Sequence, residues 1–302
     1  MTNYAQFTRF VPLLFVVLWS TGFIASKYAL PFIEPFYLLF IRMLLTLAVF
    51  AVLCTVFKVQ WPTFRQGRQQ MVAGFLLHAC YLGGVFAAIK WQLPAGITAI
   101  IVGLQPLLTA LLAWQFLGQQ LRALQWLGLA LGLTGMSLVL LDAQHINTAE
   151  FRSEAIAAAL IALVSISIGT LYQKHVGKGV DLLAGAVYQY SATAIATGLL
   201  AFTFEERIIE WNLQLILALG WLVFGLSIAA ILLLMLMIRE GESAKVASYF
   251  YLVPPLTVLE TWVLFNEELS LVQIAAIGIT VTGVYLVLKR KQTNSCKLPN
   301  MN

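Results

Sequence analysis

The sequence predicts an all-α, polytopic integral membrane protein whose ten transmembrane helices form two inverted five-helix repeats. Three observations predict it. Of 302 residues, 61% are hydrophobic and only 10% are charged, with a mean hydropathy of +0.88, whereas a soluble domain carries about a quarter charged residues. Apolar runs long enough to cross a bilayer recur along the whole chain. The second half also repeats the first at a nearly constant offset. This composition excludes a soluble enzyme, a nucleic-acid binder and a disordered protein. The net charge of +5 comes from 18 scattered Lys and Arg rather than from a basic face, so no nucleic-acid partner is expected and membrane topology accounts for it.

In chain order the apolar runs fall at about 10–30, 35–57, 70–90, 95–117, 122–141, 154–174, 182–204, 213–238, 243–265 and 271–289. The first is longer than a signal-peptide core, lacks a small-residue cleavage site and is followed by further runs, so it reads as a spanning helix. The runs are rich in Leu and Ala and lack the alternation of outer-membrane strands, which makes them helices. Their connectors are short and leave no room for a separate soluble domain. Cys54, Cys80 and Cys296 share no metal or redox spacing and are expected to be free thiols.

Orientation follows from Lys and Arg, which stay on the cytoplasmic side during insertion. With the N-terminus inside, the inner connectors hold Arg9, Lys58, Arg65, Arg68, Arg122, Lys174, Lys178, Arg239, Lys245, Lys289, Arg290, Lys291 and Lys297, while the outer ones hold only Lys27, Lys90, Arg152 and Arg207. An even number of crossings returns the C-terminus to the cytoplasm. The chain is therefore expected in the cell inner (plasma) membrane, multi-pass, with both termini cytoplasmic.

Shifting segment 95–140 by 148 residues onto 243–288 needs no gap and makes 14 of 46 positions identical. Pro106 falls on Pro254, Thr109 on Thr257, Trp114 on Trp262, Gln125 on Gln273, and Leu138-Val139-Leu140 on Leu286-Val287-Leu288. At a shift of 147, Gly22 and Lys27 fall on Gly169 and Lys174, and Arg42 falls on Gln189. The expected organisation is a first repeat over 1–146, a second over 147–292 and a cytoplasmic tail over 293–302. Five crossings per unit is odd, so the second unit enters the membrane the other way up.

With these residues in view, the chain resembles the drug/metabolite transporter superfamily, specifically its EamA-type ten-helix members. The likeness is carried by Trp19-Ser20-x-x-Phe23-x-x-x-Lys27, by Arg42, and by the stretch from Pro106 to Trp114 and on to Gly118-Gln119-Gln120-Leu121. A copy of that stretch runs from Pro254 to Asn266-Glu267-Glu268-Leu269. The resemblance covers nearly the whole chain. It implies an exporter of amino acids and related metabolites, with helices around a central cavity open alternately to each side. The family pattern has Gly-Glu after the fourth helix, where this chain has Gly118-Gln119; the second copy keeps Glu267.

Several residues are candidates for transport on their own chemistry. Pro106 and Pro254-Pro255 interrupt the backbone ladder at matching places and free carbonyls near the midplane, as a binding site or as simple kinks. Glu260 lies deep in helix nine, where a carboxylate facing lipid is costly. It either faces a cavity as a proton-coupling group, with Leu256 and Tyr249 as angular neighbours, or pairs with another helix. His78 is a second proton-coupling candidate, although a lone membrane His also serves packing. Arg42, two turns into helix two, needs a partner or a wet cavity and suits a substrate carboxylate. Lys27 and Lys90 lie nearer the outer boundary and can snorkel. Trp19, Phe23, Tyr81, Tyr188, Tyr190, Tyr249 and Tyr251 sit away from the interfaces, lining a cavity, packing or facing lipid. Gln105 and Gln189 are stronger candidates, because a buried amide without partners is costly. Gly128, Gly132 and Gly135 form a small-residue stripe for close helix contact, within or between protomers.

No phosphate-binding loop is present: Gly177-Lys178-Gly179 lacks the first glycine, the hydroxyl residue and the preceding strand. The leading expectation is a secondary transporter without cofactor or metal, whose partners are a small-molecule substrate and the lipid bilayer, as a monomer or a homodimer. A passive facilitator or exchanger is the alternative. An intramembrane enzyme lacks its nucleophile–base or His-Glu-x-x-His cluster; His78, His145 and His175 are spread over separate regions.

Overall fold

The computed structural model describes residues 2–118, 120–142, 152–240, 246, 249–265 and 270–288. Gln119, His145, Glu267, Glu268, Cys296 and the 293–302 tail lie outside these. The described residues are helical almost throughout and form no β-strand, only an isolated bridge between Ile33 and Ile209. In order they are α1 (Thr2–Ala29), α2 (Pro35–Val56), α3 (Phe64–Gly74), α4 (Tyr81–Lys90), α5 (Ala95–Gly103), α6 (Gln105–Leu117), α7 (Ala123–Asp142), α8 (Ser153–Val176), α9 (Leu182–Phe204), α10 (Leu213–Trp221), α11 (Ile231–Glu240), α12 (Val253–Phe265) and α13 (Leu271–Leu288). A π-helical stretch, Phe75–Cys80, joins α3 to α4, and another, Leu222–Ala230, joins α10 to α11; a 3₁₀ turn, Tyr249–Leu252, leads into α12.

Local sequence explains where the helices start and stop. Pro35 opens α2, where its missing N–H costs nothing. Thr63 and Gln66 form a reciprocal capping box at α3, and Asp181 and Asn212 cap α9 and α10 by accepting backbone N–H bonds. Gly118 ends α6 in a left-handed conformation (φ 63°), which a glycine adopts without a steric penalty.

Six stretches are long and apolar enough to cross a membrane: Phe10–Ala29, Pro35–Val56, Phe64–Lys90, Ile97–Leu117, Ser153–Val176 and Leu213–Arg239. Ala123–Gly135 and Ile274–Val287 are shorter apolar helices. The distribution of polarity is reversed from that of a soluble protein. Leu13, Val52, Ile195, Leu199, Phe202 and Phe224 are exposed, while Arg42, Gln70, His78, Gln105, Gln173, Gln189 and Thr193 are buried. Hydrocarbon outside and hydrogen-bonding groups inside is the arrangement a bilayer demands. The chain is a multi-pass helical membrane protein.

The packing pairs helices across the two halves. The α2 helix packs on α9, and α7 on α13; α8 lies along the α3–α4 rod as α1 lies along the α10–α11 rod. The two π-helical stretches begin at Phe75 and Leu222, 147 residues apart, the shift at which Arg42 meets Gln189. The α5–α6 break at Leu104 and the end of the 3₁₀ turn at Leu252 are offset by 148. Pro106, and likewise Pro254 and Pro255, sit in the first turn of the helix that follows each interruption. Gly128, Gly132 and Gly135 pack within this chain: a Cβ at Gly128 would lie 2.6 Å from the Gly283 carbonyl, and one at Gly132 would lie 2.8 Å from the Tyr251 ring.

Candidate functional site

A cavity opens between α1, α2, α4 and the α10–α11 rod, lined by Trp19, Gly22, Phe23, Arg42, Tyr81, Leu82, Val85, Phe86, Leu226 and Ile231. Four sequence candidates, Trp19, Phe23, Arg42 and Tyr81, thus share one wall system. Trp19 stacks on Tyr81 with ring centroids 6.0 Å apart and a 16° tilt, and Phe250 meets Trp19 edge-on at 5.2 Å. Gly22 is the thin part of the wall, where an added Cβ would strike the side chain of Leu226. The lining is largely apolar with a few polar groups, the composition of a small-molecule site.

Arg42 is the charged group of that lining and is 1% exposed. Its Nε donates to Ser227 Oγ at 2.7 Å, and its Nη1 is buried without a partner. Ser227 lies in the π-helical stretch Leu222–Ala230. Such a widened turn displaces carbonyls from regular α-helical bonding, and the Ser227 carbonyl accepts from the Tyr190 hydroxyl at 2.9 Å. Ser227 therefore holds both the guanidinium from α2 and the phenol from α9. Sequence reading missed it because a lone Ser in an apolar run gives no signal.

Beyond Tyr190 a second polar cluster begins. The His78 ring lies 4.9 Å from the Tyr190 ring. His78 Nε2 is 3.1 Å from Gln189 Oε1, and Gln189 Nε2 donates to Gln70 Oε1 at 2.8 Å and to Gln173 Oε1 at 3.1 Å. Because the Gln189 amide nitrogen faces two oxygens, its oxygen faces His78, which requires the Nε2–H tautomer. Gln70 Nε2 in turn donates to the Val176 carbonyl at 3.1 Å. The backbones meet closely here: a Cβ on Gly74 would overlap Gln189, and Thr193 Oγ1 donates to the Gly74 carbonyl at 3.2 Å. Gln70 and Gln173 were not singled out in the sequence; only packing shows them converging on Gln189.

The remaining candidates lie elsewhere. Glu260 does not line the cavity; Ser20 Oγ on α1 donates to its Oε1 at 2.6 Å, and its Oε2 is buried without a partner. Gln105 Nε2 donates to Thr170 Oγ1 on α8 at 3.3 Å. Tyr188 packs against Trp61 and over Gly67, and Tyr251 is buried beside Gly132. Tyr249 is half-buried against the main core.

With this geometry established, comparison with known proteins places the chain. The EamA-like transporter family matches residues 8–141 and again 153–289. The chain belongs to the EamA-like transporter family. Among similar proteins, the uncharacterized inner membrane transporter YedA of Escherichia coli (strain K12) is 31% identical over 228 residues, covering 75% of this chain and 72% of the relative. The uncharacterized transporter YvbV of Bacillus subtilis (strain 168) is 26% identical over 308 residues, 95% of this chain and 93% of its own. A protein of Salmonella typhimurium described as a probable amino-acid metabolite efflux pump is 24% identical over 290 residues, 92% and 93% respectively. A crystal structure with a TM-score of 0.74 and 21% identity, covering 92% of this chain and 95% of its own, shares the fold. This EamA-like protein is a membrane transporter; the cavity and the glutamine cluster are the parts of it that can recognise a solute and hold helices together.

Proposed function

We propose that this transporter is a secondary exporter of amino acids or related small metabolites, working by alternating access in the inner membrane with both termini cytoplasmic. The observation that carries this reading is the cavity itself, walled by α1, α2 and α4 from the first matched stretch and by the α10–α11 rod from the second. A solute held between two units that rock against each other meets one side and then the other. Matching π-helical stretches and helix breaks support two inverted units, within the ten-crossing topology expected from the sequence.

Two versions of the mechanism differ in the coupling. In the proton-coupled version Glu260 takes up and releases the proton and acts on the cavity through α1, since Ser20 holds its carboxylate and neighbouring Trp19 lines the site. In the facilitator version no titrating group takes part. The absence of any carboxylate from the described cavity lining favours this second reading.

The test is efflux from vesicles containing the purified protein, loaded with a mixture of amino acids and small organic acids, with and without an imposed pH difference. Faster release than from protein-free vesicles is expected for at least one solute. Release equal to that of protein-free vesicles for every solute would overturn the exporter. A rate that ignores the pH difference selects the facilitator.

A further inference from the structure

The charge balance of the cavity narrows the substrate class. Its described lining contains one cation, Arg42, and no carboxylate, and Arg42 has no ion-pair partner among the described residues. Ser227 satisfies only Nε, leaving Nη1 buried without an acceptor. A guanidinium held in this state is a strong site for an anion, because the cost of stripping its water has already been met in the folded protein. Apart from the Tyr81 hydroxyl, the rest of the wall is hydrocarbon and aromatic ring: Trp19, Phe23, Phe86 and Leu226 offer surface for an apolar body. Nothing described in that wall balances a positive charge. Tyr190 has its hydroxyl committed to the Ser227 carbonyl, and Glu260 is engaged by Ser20, which follows cavity-lining Trp19 and points about 100° around α1 from it. An ammonium group would enter beside a guanidinium in a water-poor site with no anionic partner in the described lining.

We propose that the cavity binds an amphipathic monocarboxylate, an aromatic or branched apolar body bearing one carboxylate and no ammonium group, with the carboxylate on the Arg42 guanidinium. The proposal rests on the transporter reading above and selects, among related metabolites, the amine-free acids over the amino acids.

Three probes share one skeleton and differ only in the charged head: 3-phenylpropanoate, L-phenylalanine and phenethylamine. Binding to the intact detergent-purified chain is measured by calorimetry and by the shift in melting temperature. 3-Phenylpropanoate is expected to bind at least about tenfold more tightly than L-phenylalanine, with phenethylamine weakest. Arg42→Met is expected to weaken 3-phenylpropanoate at least about tenfold, and Arg42→Lys to restore part of that loss. The wild-type ranking needs no variant, so it decides the question even if Arg42→Met does not fold. L-Phenylalanine binding as tightly as 3-phenylpropanoate, no detectable 3-phenylpropanoate binding, or an Arg42→Met protein that keeps its affinity would each overturn the proposal. The two readings fail separately. Vesicle efflux of phenylalanine without 3-phenylpropanoate binding removes this substrate class and leaves the exporter, whereas 3-phenylpropanoate binding with no efflux of any solute keeps the anion site and removes the exporter.

Discussion

Arg42 in α2 and Gln189 in α9 stand 147 residues apart on helices that pack against each other, yet they are satisfied to opposite degrees. Gln189 uses both of its donors and its oxygen, accepting from His78 and donating to Gln70 and Gln173. Arg42 makes one side-chain bond, to Ser227, and keeps a buried nitrogen unpaired at the cavity wall. Related positions in two similar stretches thus differ: Gln189 is a latch between helices, and Arg42 borders the cavity. A hydrogen-bonded buried network adds rigidity even though His78 Nδ1 within it is buried without a partner, while an unsatisfied buried charge costs stability.

The sharpest way to break this comparison is at the contact beneath the latch. Gly74→Ala drives a methyl group into the Gln189 backbone, which no rotamer change relieves; a loss of about 3 kcal/mol is expected. Thermal unfolding in detergent measures it, and an unchanged midpoint would show that α3 and α9 are not held this closely.

Next in size is Gln189→Leu, which strands the Gln70 and Gln173 oxygens and the His78 N–H. A loss of about 2 kcal/mol is expected. Adding Gln173→Leu should then cost less than it does alone, because its partner has already gone. Strict additivity would mean that the amides are not coupled.

Arg42→Met sharpens the comparison from the other side. Removing an unpaired buried charge should leave the ligand-free protein equally stable, or more stable by about 1 kcal/mol. A melting temperature that falls as far as in Gln189→Leu would make Arg42 a structural group like its counterpart.

The smallest effect concerns the connectors that follow α1 and α9. Glu205 accepts from the backbone N–H groups of Phe36 and Tyr37 at 2.8 and 2.7 Å, capping α2 in place of Glu34. Burial holds its carboxyl above the ordinary value of 4.5, although these N–H donors pull it back. A raised value means that the folded chain binds the proton more tightly than the unfolded one. This contribution to stability is present below 4.5 and is lost as pH rises through the folded value. Glu205→Gln should flatten that part of the melting-temperature profile as pH rises above 4.5; a profile parallel to wild type would rule it out.

Part of this site could be read in advance. Arg42 and Gln189 stood out because charge and amide are costly in a membrane, and the Trp19–Phe23 run was visible as a motif. Ser227, Gln70 and Gln173 were not visible, since a Ser or Gln in an apolar run has no face until a neighbouring helix supplies its partner. Tyr188 and Tyr251 looked equivalent to Tyr81 for the same reason, but one packs beside Gly67 and the other beside Gly132. Glu260 stood out as a carboxylate in an apolar helix, while its bond to Ser20 came from a helix 240 positions away in sequence.

The amino-acid order by itself determined that this chain lives in a bilayer, that its runs are helical, and that its halves echo one another. Those properties follow from hydropathy, length and spacing along a single strand of text. Tertiary structure alone decided which polar groups meet, which stay unpaired and where the cavity lies. Helices apolar on nearly every side carry no local mark of their neighbours, so partner choice comes from the close approach of backbones and the displaced carbonyls of two widened turns.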